Sequence, residues 1–480
     1  GNHHKVTNDA GVPLYVSFAT TCKDSSNNAC GDEIVTTYHK YTVIPDFTPE
    51  ECDVTVPEGQ SIQSAVDSAS NGDVICVEGV HREQIIINKN IVLQGLSGAK
   101  IEAPDVMDTY TFPESTKTWK PIIFAFGGTE TGGDVSGTET VEVTVKGFEI
   151  DGRNKGESGS RFAAILFRNV KPGTISHNNI DNLFPATGNP ETFGIMIQGD
   201  SDVVIRNNYV TGYNRGGIGV NGDAGSLTDP NALVDNNIVI GNGVENGGGW
   251  AENGIQIGWG ATGTVINNEV SLNGWPGSDW AATGILIAGS SNIKVSNNTV
   301  RDNENGISVV GYEDWKSTPA QDNEITDNTI IRNKYGVTVE AYSQRTSIER
   351  NEIFNNSIIG VGVYGYNVTW ESSEPTDTVI HNNNIKESGE YGAETGIYGS
   401  DDDITETVDA TQNYWVGNAQ RATGNIDVSN PKSTPLAVGN IIPSPVQIPA
   451  SGMLKFDIIT EFAPATLQDT YTITTQIIPY

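Results

Sequence analysis

The second half of the chain repeats one short hydrophobic–polar frame: apolar, two variable residues, Asn, one variable residue, apolar. It places Asn178, Asn208, Asn237, Asn268, Asn298, Asn328, Asn351, Asn383 and, more loosely, Asn413 in equivalent positions. The flanking pairs are Ile175/Ile180, Ile205/Val210, Val234/Val239, Val265/Val270, Val295/Val300, Ile325/Ile330, Ile348/Ile353, Ile380/Ile385 and Ala410/Trp415. Successive asparagines are 30, 29, 31, 30, 30, 23, 32 and 30 residues apart. A period in this range marks a solenoid, in which each unit buries its apolar face on the next. Fixed apolar offsets around every Asn set the pattern apart from an Asn-rich low-complexity tract.

A second frame, Gly-apolar-x-apolar, runs in phase at Gly194, Gly217, Gly254, Gly284, Gly306, Gly336, Gly360 and, more weakly, Gly396. Each unit therefore holds at least two short runs with period-2 alternation and no room for a long amphipathic helix. The expected unit is one coil of a parallel β-helix. Inward Ile and Val stack on the next coil about 4.8 Å away. The Asn amides stack too, donating to one another, and Asn tolerates left-handed backbone at a corner. The 23-residue interval is close to a bare coil; the longer ones carry loops.

Upstream, Ser61–Ser70 reads as a short helix, capped by Ser61 and apolar along Ile62, Ala65, Val66 and Ala69. Strand-like Asp73–Val77, Gln84–Ile87 and Ile91–Leu93 follow. A β-helix end exposes strand edges and core, and a helix would cover them. The segment SIQSAVDSASNGDVICVEGVHREQIIINKNIVLQG resembles the opening of the pectin-lyase-like right-handed β-helix superfamily. The later repeats resemble those of NosD-like periplasmic and surface proteins, and NYWVGNA at 413–419 resembles their terminal coil. The resemblance covers about residues 57–420. It implies an all-β, right-handed parallel β-helix solenoid with a short N-terminal capping helix, and it is specific for fold and poor for function.

The ends lie outside the repeat. Residues 1–56 hold strand-like runs at Val12–Thr20 and Ile34–Ile44, 421–450 reads as a Pro- and Ser-bearing linker, and 451–480 reads as a hairpin. The C-terminal texture resembles the last hairpin of an immunoglobulin-like sandwich. Each end offers about two strands, too few for an independent sandwich, so the expectation is a sandwich shared between C- and N-terminal strands. Ten or eleven coils hold the two ends some 50 Å apart. Halves that meet between neighbouring molecules make a head-to-tail, heterologous joint; local capping of the last coil is the alternative.

Charge narrows the partners. Lys plus Arg number 27 against 60 acids, net −33, and no basic residue lies between Arg215 and Lys294. This argues against nucleic acid and anionic membranes. No apolar run is long enough to make a transmembrane segment. The absence of a leader before Gly1 is read as a mature, processed secreted chain. All four cysteines (Cys22, Cys30, Cys52 and Cys76) fall in the first 80 residues. Their simplest pairing, Cys22–Cys30 and Cys52–Cys76, implies an oxidising, extracellular compartment; zinc is the alternative, without a CxxC pair to favour it. Sequons for N-glycosylation stand at Asn297, Asn355 and Asn367.

Chemistry is harder to place. A polygalacturonase-like site needs clustered aspartates, Gly-His-Gly and Arg-Ile-Lys; here only Asp401, Asp402 and Asp403 match. A pectate-lyase-like site needs a basic residue beside calcium ligands, and the epimerase Asp-Pro-His is absent. His177 and His381 occupy variable corner positions, and His3 and His4 could chelate a metal with the terminal amine. A metal-free carboxylate pair could hydrolyse a glycosidic bond, with Asp401–Asp403 or Glu313 and Asp314 as weak candidates. The inserted loops carry Trp250, Trp259, Trp275, Trp280, Trp315 and Trp370, with Tyr312, Tyr342, Tyr364 and Tyr366. Such aromatics stack on sugars, anchor protein contacts or cover the solenoid flank. No cofactor is required; the acidic loops could take Ca²⁺, though no EF-hand-type motif is present.

The favoured expectation is a secreted, self-assembling surface protein, a filament or array subunit that binds copies of itself. The alternative is an extracellular polysaccharide-active enzyme, a lyase or glycoside hydrolase, or a carbohydrate-binding protein.

Overall fold

The computed structural model describes residues 48–434, except 114, 116, 185–187, 223–228, 247–248, 278–280, 315–316, 387, 390 and 417–419. It also describes strands at 13–23, 36–37, 446–447 and 470–479. The chain divides into two compact units, 48–439 and 1–47 with 440–480. The Cys22–Cys30 pairing lies outside the described residues.

The larger unit is a parallel β-helix. Three sheets of 14, 12 and 13 strands run along it, each joining strands one coil apart. A representative coil passes from Asp202–Arg206 in the first sheet to Tyr209–Val210 in the second and Gly216–Asn221 in the third. The apolar partners of the Asn frame form two columns in register. One runs Ile175, Ile205, Val234, Val265, Val295, Ile325, Ile348, Ile380. The other runs Ile180, Val210, Val239, Val270, Val300, Ile330, Ile353, Ile385, Trp415. The aliphatic members of both are fully buried. That stacking is the main hydrophobic stabilisation, and it repeats at every coil.

Between the columns the asparagines form one continuous ladder. Each Oδ1 accepts from the backbone N–H and Nδ2 of the preceding coil's Asn, from Asn178 through Asn413, at 2.8–3.1 Å. These amides are buried yet satisfied, as a buried polar group must be. One expectation about them is corrected: the ladder Asn does not take the left-handed conformation. The residue before it does: His177, Asn207, Asn236, Asn267, Asn297, Asp327, Arg350, Asn382 and Gln412 all have φ between 54 and 61°. The turn is made by an outward-pointing residue, which leaves the next one, the Asn, aimed inward at its neighbour.

A second ladder runs parallel to the first. Asn273, Asn303, Asn333 and Asn356 repeat the same two bonds at 2.9–3.1 Å. Tyr213 Oη donates to Asn273 Oδ1 at its N-terminal end (2.7 Å).

The glycine row has a steric cause. A Cβ on Gly254 would stand 2.6 Å from Gly284 O and 2.4 Å from Val270 Cγ1, and Gly194, Gly217, Gly284, Gly306 and Gly336 face the same carbonyl of the next coil. The row ends at Gly392, which Gly360 meets in the same way, and not at Gly396. Gly396 lies four residues on, beside Tyr364 in the sheet.

The N-terminal end is closed by the helix Ile62–Ser68, whose cap Ser61 accepts from Ser64 N (3.1 Å) and which buries Ile62 and Val66. Cys52 is disulfide-bonded to Cys76 in the first coil. At the other end the solenoid runs past 420: Gln420–Thr423 pairs with Tyr391–Glu394 and Ile426–Asp427 with Val408–Asp409. Among the described residues no helix is long and apolar enough to cross a membrane.

In the smaller unit, Thr470–Pro479 pairs antiparallel with Pro13–Lys23 of the same chain, from Leu14↔Pro479 to Lys23↔Thr470. Thr36–Thr37 and Val446–Gln447 also pair antiparallel with Pro13–Lys23.

Candidate functional site

The outer face of the third sheet is used differently at its two ends. Toward the N-terminus, Tyr110, Phe112, Trp119, Phe124, Phe126, Phe193 and Met196 pack over it as a second, aromatic core. Arg161 lies over Trp119 and Phe193 and is paired with Glu191 (2.8 Å). Toward the C-terminus no such core covers the sheet among the described residues, and a cleft of about 490 Å³ opens over the strands between residues 283 and 398.

Alternation decides which side chains reach this cleft. Ile285, Ile287, Val337, Val339, Val361 and Val363 point into the solenoid. The residues between them therefore point out: Leu286, Ser308, Thr338 and Gly362 in one register, and Val310, Glu340 and Tyr364 in the next. Gly362 leaves space for an aromatic ring. A Cβ there would stand 2.3 Å from the Tyr364 ring, so that ring lies over Gly362.

Glu340 stands in the middle. It is half-buried, and its side-chain donors are the hydroxyls of Thr338 (2.6 Å) and Tyr366. Burial raises its pKa above the usual carboxylate range, against these two hydrogen bonds. The same burial pushes the phenol of Tyr366 up. Thr338 Oγ1 in turn accepts from the Ser308 hydroxyl (2.8 Å), which extends the polar floor to the neighbouring coil.

Aromatic rings form one rim. Tyr366 and Tyr398 are in register across adjacent strands, with ring centroids 5.7 Å apart. Trp370 meets Tyr366 edge-on at 5.6 Å. Tyr398 is 61% exposed and Trp370 38%, so both present ring surface to solvent. Trp370 sits at the turn of an antiparallel hairpin, Ile359–Val368 with Glu371–Ser373. The fully buried Glu371 fastens that hairpin by accepting from Glu313 N (2.9 Å), Asp314 N (3.2 Å) and Ser373 Oγ (2.5 Å). The opposite rim carries Glu304 and Lys334, an ion pair at 3.2 Å.

These placements sort the candidates read from the sequence. Trp370, Tyr312, Tyr364 and Tyr366 line the cleft. Trp259 backs it by stacking on Tyr312 at 5.5 Å. Trp250 donates from Nε1 to Asn189 O, and Trp275 packs over Gly277; neither lines the cleft. Trp280 and Trp315 lie outside the described residues. Asp401, Asp402 and Asp403 form an exposed turn and do not line it. Glu313 and Asp314 are exposed, with their amides engaged by Glu371. Glu340, Glu304, Tyr335 and Tyr398 were not singled out in the sequence. The available signal was the acid at the second outward position of the Gly336 frame, where the equivalent strands hold Ala288, Val310, Tyr364 and Gly396.

Of the sequons, Asn297 and Asn367 are exposed and Asn355 is half-buried; Asn297 and Asn355 occupy left-handed corners. Among the described residues no three His, Cys, Asp or Glu side chains converge to hold a metal ion.

The family model for the right handed beta helix region matches residues 163–314 and 253–432, together more than half of the chain. The chain belongs to the right-handed β-helix family. No curated protein sequence matches it significantly. Among solved structures, this β-helix is similar to the A-module of the Azotobacter vinelandii mannuronan C-5 epimerase AlgE6. The two are 16% identical over 78% of this chain and 94% of that one, with a TM-score of 0.50. It is also similar to the Dettilon tailspike protein, at 14% identity over 77% and 68% of the two chains and TM-score 0.50. The surface adhesin PfbA of Streptococcus pneumoniae is 12% identical over 76% and 87%, with TM-score 0.49. At these identities the likeness is one of fold.

Proposed function

We propose that this β-helix is an extracellular or surface-exposed polysaccharide-binding protein, and that the cleft over the third sheet seats a segment of glycan. The observation that carries the reading is the pair of solvent-presented rings, Tyr398 and Trp370, beside the half-buried Glu340. Sugar rings offer apolar C–H faces to aromatics and hydroxyl donors to carboxylates. Tyr398 and Glu340 stand on strands and Trp370 on the hairpin that Glu371 fastens, which lowers the ordering cost of binding. The fold's likeness to a mannuronan epimerase and a tailspike protein supports the reading without naming the sugar.

Calorimetry or a glycan array with the purified chain tests it. Trp370→Ala and Tyr398→Ala are each expected to lower affinity about 30-fold, the weight of a hot-spot ring, with an unchanged melting temperature. Trp250→Ala, away from the cleft, is expected to change nothing. Equal affinities across all three variants would end the reading.

A second reading, a filament or surface-array subunit, rests on the pairing of the first and last strands. Exchanged between molecules in the same register, Pro13–Lys23 and Thr470–Pro479 would join them head to tail. Electron microscopy of the full chain is then expected to show linear assemblies; strictly monomeric particles across salt and calcium would refute it.

A further inference from the structure

We infer that the cleft selects uncharged glycans and rejects polyuronates, a specificity that rests on the glycan-binding reading above. The argument is one of charge. Binding a chain of carboxylates takes cations: Arg or Lys free to pair with them, or a metal ion that bridges acid to acid.

The cleft supplies neither. Its one basic lining residue among those described, Lys334, is taken by Glu304 at 3.2 Å and lies 5.7 Å from the Tyr335 ring. Glu304 in turn accepts from Ala282 N (3.0 Å), so the pair is anchored to backbone. Glu340 carries a second carboxylate into the floor with only hydroxyl donors around it. A uronate placed over the floor would face this group across a low-dielectric cleft, and like charges so placed repel strongly. The surrounding field has the same sign, because the chain carries a net charge of −33. A bridging cation also lacks its donor set, since no three acidic or His side chains converge among the described residues.

The same groups suit hydroxyls. Glu340 and Glu304 accept, while Ser308 and Asn305 both donate and accept. Leu286, Val310 and the Tyr364 ring offer apolar floor to C–H faces.

The test is a binding panel of neutral hexasaccharides (cellohexaose, laminarihexaose, mannohexaose) and hexamers of galacturonate and mannuronate, at low and high salt, with and without 1 mM-range calcium, about the strength of weak extracellular sites. At least one neutral hexamer is expected to bind, with every uronate hexamer about tenfold weaker or worse at low salt and the gap narrowing as salt rises. Glu304→Gln, which frees Lys334 and keeps an acceptor for Ala282 N, is expected to raise uronate affinity and so narrow the gap to the neutral hexamer. Glu340→Gln provides a second variant should Glu304→Gln fold poorly, read by the same rise in uronate affinity. Uronates binding as tightly as the neutral hexamers, with or without calcium, would overturn the specificity while leaving glycan binding intact. No binding by any hexamer would overturn both.

Discussion

Asn298→Leu is expected to lower the unfolding free energy by about 4 kcal/mol, although leucine fills a similar volume. Asn298 Oδ1 accepts from Asn268 N (2.9 Å) and Nδ2 (3.0 Å), and its own Nδ2 donates to Asn328 Oδ1, Val265 O and Ser296 O. Leucine leaves the Asn268 N–H in a buried corner without an acceptor and removes three donated bonds at once. An unsatisfied buried donor costs about 1–3 kcal/mol by itself. The substitution stands mid-ladder, so it also weakens the coupling between the coils on its two sides. A solenoid is held by nearest-neighbour terms, and the single urea transition is therefore expected to broaden or divide. The adjacent corner gives the control. Asn297 is left-handed, φ 58°, and Asn297→Ala is expected to cost only about 1 kcal/mol, the strain of that conformation for a residue with Cβ. If both substitutions cost the same, the ladder is not a structural device of the kind described.

The second large effect is a loss of stability with rising pH. Glu252 is fully buried, and burial pushes its carboxyl up to about 7. The Asn242 and Gly274 N–H groups and the Asn242 amide donate to it and oppose that shift; burial, and then the Glu252 carboxylate, raise the phenol of Tyr213. The folded-state value lies above the ordinary 4.5, so the folded chain holds a proton that the unfolded chain has released. Its stabilising contribution is complete below about pH 4.5 and is lost as pH rises through 7, a change of about 3 kcal/mol in order of magnitude. The melting temperature is thus expected to fall between pH 5 and pH 8, and Glu252→Gln to flatten that slope. Part of the slope stays, because Glu340 is raised in the same direction. Asp322, held low by hydrogen bonds from Arg345, acts only under more acid conditions. A slope identical in Glu252→Gln and the parent chain would contradict the assignment.

What the sequence shows of this molecule follows from what must repeat. An inward Asn needs another Asn one coil away to satisfy it, so Asn178 through Asn413 carry a visible period. The second ladder obeys the same rule over fewer coils, which makes its period harder to see. Asn273, Asn303 and Asn333 each stand three residues after the second apolar position of the frame, a spacing that can be read once sought. The left-handed corner is hard to assign from the sequence because Asn often fills both positions, as in Asn207–Asn208 and Asn236–Asn237; His177, Asp327, Arg350 and Gln412, where the two differ, show which one turns. The cleft is different in kind. It is built from outward positions on strands of successive coils, where packing imposes no common residue. Glu340, one acid among 60, is marked only by its place at the second outward position of the Gly336 frame. Trp370 is legible as one of six tryptophans in the loops between the repeats. Tyr398 is not, because it reads as one more strand residue.

The number of paired residues between coils has a mechanical consequence. Under tension along the solenoid axis, the coils act as links in series, and the thinnest link decides the strength of the whole. Arg161–Arg168 grips Glu191–Gln198 at seven paired positions in the third sheet alone. Near the other end the first sheet joins consecutive coils through the single pair Val379↔Asp409, with three pairs in each of the other two sheets. Beyond it, Ile426–Asp427 is joined to Val408–Asp409 by two pairs, so a molecule pulled lengthwise is expected to give way at this end. It sheds its last coil at the C-terminal end, beyond the cleft-bearing strands, while those strands stay wound.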